Sequence, residues 1–243
     1  MIRLENVTKS YSTEIVAVRD ASFDVAKGEF VFLVGPSGSG KSTLLNAVLG
    51  FVNPTVGQVL IDGNDLQGVD LRSVRRQMAV VPQETLLFEG SIRDNVTYGS
   101  ATLSDDVVHE ALEKAQALEF VVEMGGLDAT IGELGARLSG GQRQRISIAR
   151  ALVRKPHILL FDDSFSALDL ATDARLRAAL KPHTADAAVL IVAQRVSTII
   201  DADQILVLED GEIIGRGTHD ELLETCPTYI EIVESQMGQG AVA

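Results

Sequence analysis

The sequence has very little cysteine. A single residue, Cys226, stands among 243 residues, so an intrachain disulfide framework is excluded. This composition suits a reducing compartment, because disulfide-dense domains belong to oxidising ones. We expect Cys226 to be a small, semi-buried apolar residue.

Long apolar runs are also missing. The longest uninterrupted run covers residues 187–193, far short of the roughly 20 residues that cross a bilayer as a helix. No secretory signal is visible at the start of the chain. We therefore expect a chain that is soluble by itself and has no membrane span of its own.

Basic charge is scarce as well, with 21 Lys and Arg against 34 Asp and Glu and a net charge of −13. No basic stripe appears, which argues against a general nucleic-acid binder. The histidines have no metal-ligand spacing and are most simply structural or surface residues: His109, His157, His183 and His219. Apolar residues make up 46% of the chain, enough for the core of one large domain or of one domain with an inserted lobe.

What the sequence does contain is a Gly-rich segment between an apolar run at 30–34 and a helical pattern at 43–49. Strand, Gly-rich turn and helix is the context that a phosphate loop requires. Glycines let successive N–H groups point at anionic oxygens, and the helix presents its positive end to the same anion. An ordinary Gly/Ser-rich turn is the alternative. The candidate nucleotide-binding residues of this phosphate loop are Gly35, Pro36, Ser37, Gly38, Ser39, Gly40, Lys41, Ser42 and Thr43.

Within that loop, two residues have a predicted chemical role of their own. Lys41 is a compact cation that can reach terminal phosphates, and the Ser42 hydroxyl can ligate Mg²⁺. Asp162 follows the apolar run 158–161, at the edge where α/β sheets bind ligands. A carboxylate there can hold a water on Mg²⁺, and the alternative is a helix N-cap.

Strand and helix patterns alternate in the rest of the chain, except in residues 84–155, where strand patterns are missing. Apolar runs predict strands near 2–7, 16–25, 59–61, 78–81, 188–192 and 204–214, the last with an Asp210-Gly211 turn. Residues 84–155 lack strand patterns and read as a mainly helical lobe inserted into an α/β core. We therefore assign residues 1–83 and 156–243 to the core and 84–155 to the lobe.

A second Gly-rich helix start lies in the lobe, at residues 138–142, and carries the clearest resemblance. Its letters Leu-Ser-Gly-Gly-Gln are identical to the signature motif of ATP-binding cassette (ABC) proteins, in family order between the phosphate loop and the Walker B strand. Without that context, an ordinary helix capped by Ser139 would be the preferred interpretation. Gln83 falls where the family has its Q-loop, Tyr11 matches the aromatic that stacks on adenine, and residues 166–169 match the D-loop. The resemblance covers nearly the whole chain.

The resemblance implies a RecA-like fold with a mostly parallel sheet, an N-terminal antiparallel β part and the helical lobe. It implies ATP and Mg²⁺ as cofactors, with Ser42, Gln83 and Asp162 at the metal. Family members work as head-to-tail pairs, in which each ATP lies between one chain's phosphate loop and the other's signature segment. The further nucleotide-binding residues would then be Tyr11, Gln83, Ser139, Gly140, Gly141, Gln142 and Asp169.

Residues 87–95, 132–135 and 194–199 resemble exporter-type domains. Their presence implies transmembrane domains as partners and a place on the cytoplasmic face of a membrane. Because Met1 stands almost directly before the first strand, we suspect that membrane helices lay upstream. Leu134 departs from the family, which often has Arg there.

Two departures fall on the hydrolytic machinery. Asp163 stands where the family places a Glu that polarises the attacking water, and its carboxylate is one methylene, about 1.5 Å, further back. Gln194 stands where the family usually has His, and it cannot carry a proton or a charge. This pattern resembles the hydrolysis-impaired half of a heterodimeric exporter. An active subunit of a homodimeric exporter or an importer remains an alternative, as does a non-transport ABC protein that acts on ribosomes or DNA.

Overall fold

Two β-sheets with helices around them form the described part of the chain. In this computed structural model the structure describes residues 1–240 except 13, 101–102, 194, 196–198 and 201. The strands are β1 Ile2–Ser10, β2 Val16–Val25, β3 Phe30–Val34, β4 Val56–Ile61, β5 Asn64–Asp65, β6 Met78–Val81, β7 Ile158–Asp162, β8 Ala188–Val192, β9 Gln204–Glu209 and β10 Glu212–Gly217. The helices are α1 Lys41–Val48, α2 Leu71–Arg75, α3 Ile92–Thr97, α4 Asp105–Lys114, α5 Leu118–Glu123, α6 Gly140–Leu152, α7 Leu170–Leu180, α8 His219–Thr225 and α9 Pro227–Gly240.

The two sheets differ in strand direction. The first is antiparallel, in the order β2-β1-β4-β5, and the second has the order β10-β9-β3-β8-β7-β6. In the second sheet, β9, β3, β8, β7 and β6 are parallel and β10 is an antiparallel edge strand. This confirms the predicted α/β fold with an N-terminal antiparallel part. Because the parallel strands end at one edge, the segments after β3, β6, β7 and β8 meet there.

The strand β3 lies between two hydrophobic cores. The side chains of Phe30, Phe32 and Val34 belong to a core shared with the helices α3 to α7 and α9. Val31 and Leu33 belong to a second core, which joins the antiparallel sheet, α1 and the other face of the parallel sheet. The central strands therefore read as continuous apolar runs, because both of their faces are covered.

Helices occupy most of residues 92–152. The buried side chain of Asn95 holds the start of this region, donating to the carbonyls of Phe88 and Ser91 and accepting from the Phe88 N–H and from Arg150. The first core nevertheless runs through both this region and the parallel sheet. The division of the chain at residues 84 and 155 thus stays a prediction. No helix in the described ranges combines the length and apolarity needed to cross a bilayer.

Candidate functional site

The phosphate loop lines a cavity of about 670 Å³ at the edge where the parallel strands end. Every residue from Gly35 to Thr43 lines it, together with Gln83, Asp162 and Asp163. These residues come from the ends of β3, β6 and β7, so the sheet brings together segments that are distant in sequence. A concave site with several convergent polar groups is the usual form of a small-molecule site.

Two glycines give the loop its path. A Cβ on Gly35 would lie 2.0 Å from the Leu208 carbonyl oxygen, and one on Gly40 would lie 2.4 Å from that of Ala17. Their φ angles of +146° and +101° are also ones that residues with side chains rarely adopt. The backbone therefore packs closer to its neighbours than any side chain would allow.

The ammonium group of Lys41 is held by the loop itself. Its Nζ donates to the carbonyl oxygens of Gly35 at 2.8 Å and Pro36 at 2.7 Å, and to Ser39 Oγ at 3.1 Å. Burial lowers the pKa of Lys41, while the carboxylates of Asp163 and Asp162 act in the opposite direction. The Lys41 cation and the two carboxylates thus line the same cavity.

Asp162 and Ser42 form the part of the site best suited to Mg²⁺. Burial raises the pKa of Asp162, and the Lys41 cation and a hydrogen bond from the Ser42 hydroxyl lower it. A hydroxyl and a carboxylate in direct contact are hard oxygen donors, the kind that Mg²⁺ prefers. The residues present therefore fit Mg²⁺, with the Gln83 side-chain oxygen as a third candidate ligand.

Asp163 has a left-handed backbone, with φ +48°. Its N–H donates to the Val192 carbonyl at 3.1 Å, and its own carbonyl accepts from Ser166 Oγ at 2.8 Å. Burial raises the pKa of the Asp163 carboxyl, a separate hydrogen bond between this carboxyl and the Ser166 side chain lowers it, and the neighbouring Asp162 carboxylate raises it. Asp163 is 6% exposed and is fixed in the floor of the cavity. The second candidate catalytic position, Gln194, lies outside the described residues.

The signature segment, residues 138–142, lies away from the cavity of its own chain. Ser139 caps α6 in a reciprocal capping box with Gln142, and their backbone and side chains exchange hydrogen bonds of 2.9 and 3.2 Å. Ser139 and Gly140 are exposed, and a Cβ on Gly140 would meet no atom within 4 Å. The structure does not bring Ser139, Gly140, Gly141 or Gln142 to this chain's phosphate loop.

Two other predicted nucleotide-binding residues also lie outside the cavity lining. Tyr11 is 57% exposed, and the Lys9 ammonium is 5.3 Å from the centre of its ring. Asp169 caps α7, its Oδ1 accepting from the Thr172 N–H at 2.9 Å, and the hydrogen bonds from Thr172 lower the pKa of this carboxyl. The roles assigned to Tyr11 and Asp169 stay predictions.

Several cavity residues were not predicted from the sequence. Arg195 lines the cavity, as do Ala17 near the start of β2 and Ile232, Ser235 and Gln236 of α9. The position of Arg195 next to Gln194 was the one available signal. Nothing in the helical pattern of α9 indicates that it reaches the phosphate loop from the far end of the chain.

An aromatic cluster lies on the surface, with one ring before the start of α3 and one directly after its end. The rings of Phe88 and Tyr98 stack with their centroids 4.3 Å apart, and the Arg150 guanidinium is 5.5 Å and 5.8 Å from their centres. Arg150 also donates to the carbonyl of Leu86, whose side chain is 65% exposed. We call Leu86, Phe88, Tyr98 and Arg150 the aromatic patch.

Comparisons with known proteins identify relatives of this chain. The sequence profile of a family described as "ABC transporter" matches residues 18–166. The chain is 46% identical over 224 residues to the ABC transporter ATP-binding protein YfiB of Bacillus subtilis, covering 92% of this chain and 39% of that protein. It is 43% identical over 240 residues to an ATP-dependent lipid A-core flippase of Photobacterium profundum, covering 98% of this chain and 41% of that protein.

A solved structure is similar in fold over almost the same range. It is that of a bacterial Atm1-family ABC exporter with ATP bound, with a TM-score of 0.92 and 37% sequence identity. The match covers 97% of this chain and 41% of the exporter. The chain thus spans about two fifths of the length of these relatives.

Proposed function

The chain belongs to the ABC transporter family, and from that premise we propose that it is the nucleotide-binding domain of an exporter. It binds Mg-ATP and powers transport by membrane domains on whose cytoplasmic face it sits. The observation that carries the proposal is the cavity in which Lys41, Ser42, Asp162 and Gln83 converge. The similarity to exporters along almost the whole chain supports the same function.

In this proposal each cavity residue has one task. Lys41 and the N–H groups of the phosphate loop oppose the charge of the phosphates. Ser42, Asp162 and Gln83 would hold Mg²⁺, which would supply further positive charge against the phosphate oxygens. Asp163, at the position where the family has a catalytic Glu, orients the attacking water. Because Asp163 presents its carboxylate from one methylene further back than Glu, and Gln194 carries no charge, hydrolysis at this chain's own site is slow.

The signature segment supports a head-to-tail pair. Its exposed Ser139 and Gly140 lie away from their own phosphate loop, so within one chain they close over no nucleotide. In a pair, each signature segment would meet the partner's γ-phosphate with bare N–H groups. We propose a heterodimer, in which a sister chain supplies a Glu at the position of Asp163. A fully active homodimeric exporter is the second candidate, favoured by the intact Lys41 and Asp162.

The aromatic patch is the proposed contact with the membrane domains. Large exposed apolar side chains grouped around a cation are typical of protein interfaces, where aromatic residues and Arg are enriched. Leu86 and Phe88 follow Gln83 closely in the chain. The aromatic patch therefore lies close along the chain to a residue that lines the cavity.

Calorimetric titration with Mg-ATP tests the core of the proposal. We expect the chain to bind with micromolar to millimolar affinity and to turn ATP over very slowly. Lys41→Ala should abolish binding, because it removes the charge that opposes the phosphates. Lys155→Ala is the matched control, because Lys155 is an exposed lysine whose nearest acidic partner, Glu110, is 3.9 Å away. Absence of binding by the wild type, or brisk turnover by this chain alone, would contradict the proposal.

A further inference from the structure

The two-residue turn that joins β9 to β10, Asp210-Gly211, packs against the start of β2. A Cβ on Gly211 would lie 3.0 Å from the Ala17 carbonyl oxygen and 3.3 Å from Val18 Cα. The carbonyl oxygen of Gly211 accepts a hydrogen bond of 2.8 Å from the Arg19 N–H. Gly211 is therefore buried against β2, with no room for a side chain between the two backbones.

The Ala17 carbonyl oxygen also contacts the phosphate loop. A Cβ on Gly40 would lie only 2.4 Å from it. Gly40 is the N-cap of α1 and directly precedes Lys41, so its backbone sets where the helix begins. Ala17 itself lines the cavity. The position of the Ala17 carbonyl thus influences the helix start that presents N–H groups and Lys41 to an anion.

The other end of the phosphate loop contacts β9, the strand that leads into the same turn. Val34 of β3 pairs with Val207 of β9 in parallel register, so that Gly35 comes next to Leu208. A Cβ on Gly35 would lie 2.0 Å from the Leu208 carbonyl oxygen. The phosphate loop, β9, the turn and β2 therefore form a closed ring of backbone contacts. We call its members the backbone ring: Gly35, Leu208, Gly211, Ala17 and Gly40.

We propose that Gly211 is a positioning residue for the phosphate loop, which holds the Ala17 carbonyl against Gly40 and so aims the loop N–H groups at the phosphates of ATP. The inference rests on the proposed function, because it concerns the same nucleotide site. Gly211 does not line the cavity, so it acts through Ala17. Contacts between backbone atoms cannot be relieved by rotating a side chain. A displacement at the turn therefore reaches Gly40.

The chain contains a matched control for this turn. Asp62-Gly63 joins β4 to β5 with the same two residues, whose φ angles are +49° and +79° against +47° and +84° for Asp210-Gly211. A Cβ on Gly63 would meet no atom within 4 Å. Gly63→Ala and Gly211→Ala carry similar backbone strain, because both glycines have positive φ. Only Gly211→Ala places a carbon against β2.

The test compares these two variants in the full chain of 243 residues. Calorimetry gives the Mg-ATP affinity, and hydrogen exchange gives the protection of the amides of residues 35–40 without nucleotide. For Gly211→Ala we expect Mg-ATP binding weakened about tenfold, the loss expected for one misaligned hydrogen bond to a charged group. The amides of residues 35–40 should also exchange faster. Gly63→Ala should keep the wild-type affinity and exchange.

Equal Mg-ATP affinities of the two folded variants would overturn the positioning role and leave the nucleotide-binding function intact. Absence of binding by the wild type would overturn the proposed function, and the exchange comparison would still decide the role of Gly211.

If Gly211→Ala does not fold, the wild type supplies the test. Mg-ATP should slow exchange of the Arg19 amide, which bonds to Gly211, more than exchange of the Asp62 amide, which donates to the Met1 carbonyl over the same 2.8 Å. Equal slowing of the two amides would overturn the proposal.

Discussion

The side-chain amide of Gln83 donates a hydrogen bond to the carboxylate of Asp163, with Nε2 and Oδ2 3.2 Å apart. The two residues follow neighbouring parallel strands, β6 and β7, and are 80 positions apart in the sequence. Their contact links a residue proposed to hold Mg²⁺ to the carboxylate proposed to orient the attacking water. The Asp163 carboxylate is thus restrained from both its backbone and its side chain.

The raised pKa of Asp163 leads to a prediction on stability. A carboxyl whose pKa is higher in the folded chain than in the unfolded chain destabilises the fold above its unfolded value of about 3.9, and the penalty is complete once the pH exceeds the raised pKa. Asp163→Asn keeps an acceptor for Gln83 and removes the buried charge. We expect a higher melting temperature for this variant at neutral pH, with the gain shrinking as the pH falls through the raised pKa. An equal gain at all pH values would show that charge is not the cause.

The buried pair of Asp173 and Arg177 should matter far more to stability than an exposed one. Asp173 is 0% exposed, so Asp173→Ala breaks a buried ion pair by removing its carboxylate, at a cost of about 3–5 kcal/mol. The pair of Asp24 and Arg216 has side chains that are 56% and 47% exposed, and Asp24→Ala should cost about 0–1 kcal/mol. Urea denaturation of the two variants measures both costs. Similar midpoints would refute the expected role of burial.

Tyr11 provides a test of adenine binding. If its ring stacks on the base, Tyr11→Ala should weaken ATP binding by roughly 1–2 kcal/mol, while Tyr11→Phe should be nearly neutral. Calorimetric measurement of ATP affinity for both variants separates the contribution of the ring from that of the hydroxyl. Equal losses would assign the effect to the hydroxyl, and no loss in either would place the base elsewhere than on this exposed ring.

The heterodimer proposal predicts unequal effects of two mutations in the assembled transporter. Gly141→Asp places bulk and negative charge where bare N–H groups meet the partner's phosphate, so ATPase should fall by orders of magnitude. Asp163→Ala should change the steady-state rate only modestly, because that site contributes little chemistry. The measurement is the ATPase rate of each single variant. If Asp163→Ala abolishes turnover as thoroughly as Gly141→Asp does, both sites hydrolyse and the homodimer-like alternative is favoured.

Much of the fold could be predicted because its central strands are buried on both faces. The apolar runs at 30–34 and 158–161 have that character, and the structure has β3 and β7 there. The helix α2 was not predicted, because it is a single short turn with no buried residue to create a periodic pattern. Hydrophobic periodicity arises where one face of a helix is buried, so a helix with no buried side chain shows no such pattern.

The candidate site also contains residues that could be predicted from the sequence and residues that could not. The phosphate loop was predictable because its backbone shape requires glycines at fixed positions. Asp162 was predictable because it directly follows an apolar strand pattern. Arg195 was not, because its partners are the carbonyl oxygens of Ser166 and Leu168, and any residue offers a carbonyl. The contribution of α9 to the cavity depends on how the end of the chain packs, which no local pattern encodes.

The strand β3 is held from both sides, with Phe32 in one core and Leu33 in the other, and it leads directly into Gly35. The phosphate loop therefore follows a core strand. Core strands are the part of a domain for which local opening costs the most free energy. A nucleotide bound there would stabilise the folded chain, because it would bind the folded state and not the unfolded one. Under the proposed function, ATP would therefore stabilise the fold as well as power transport.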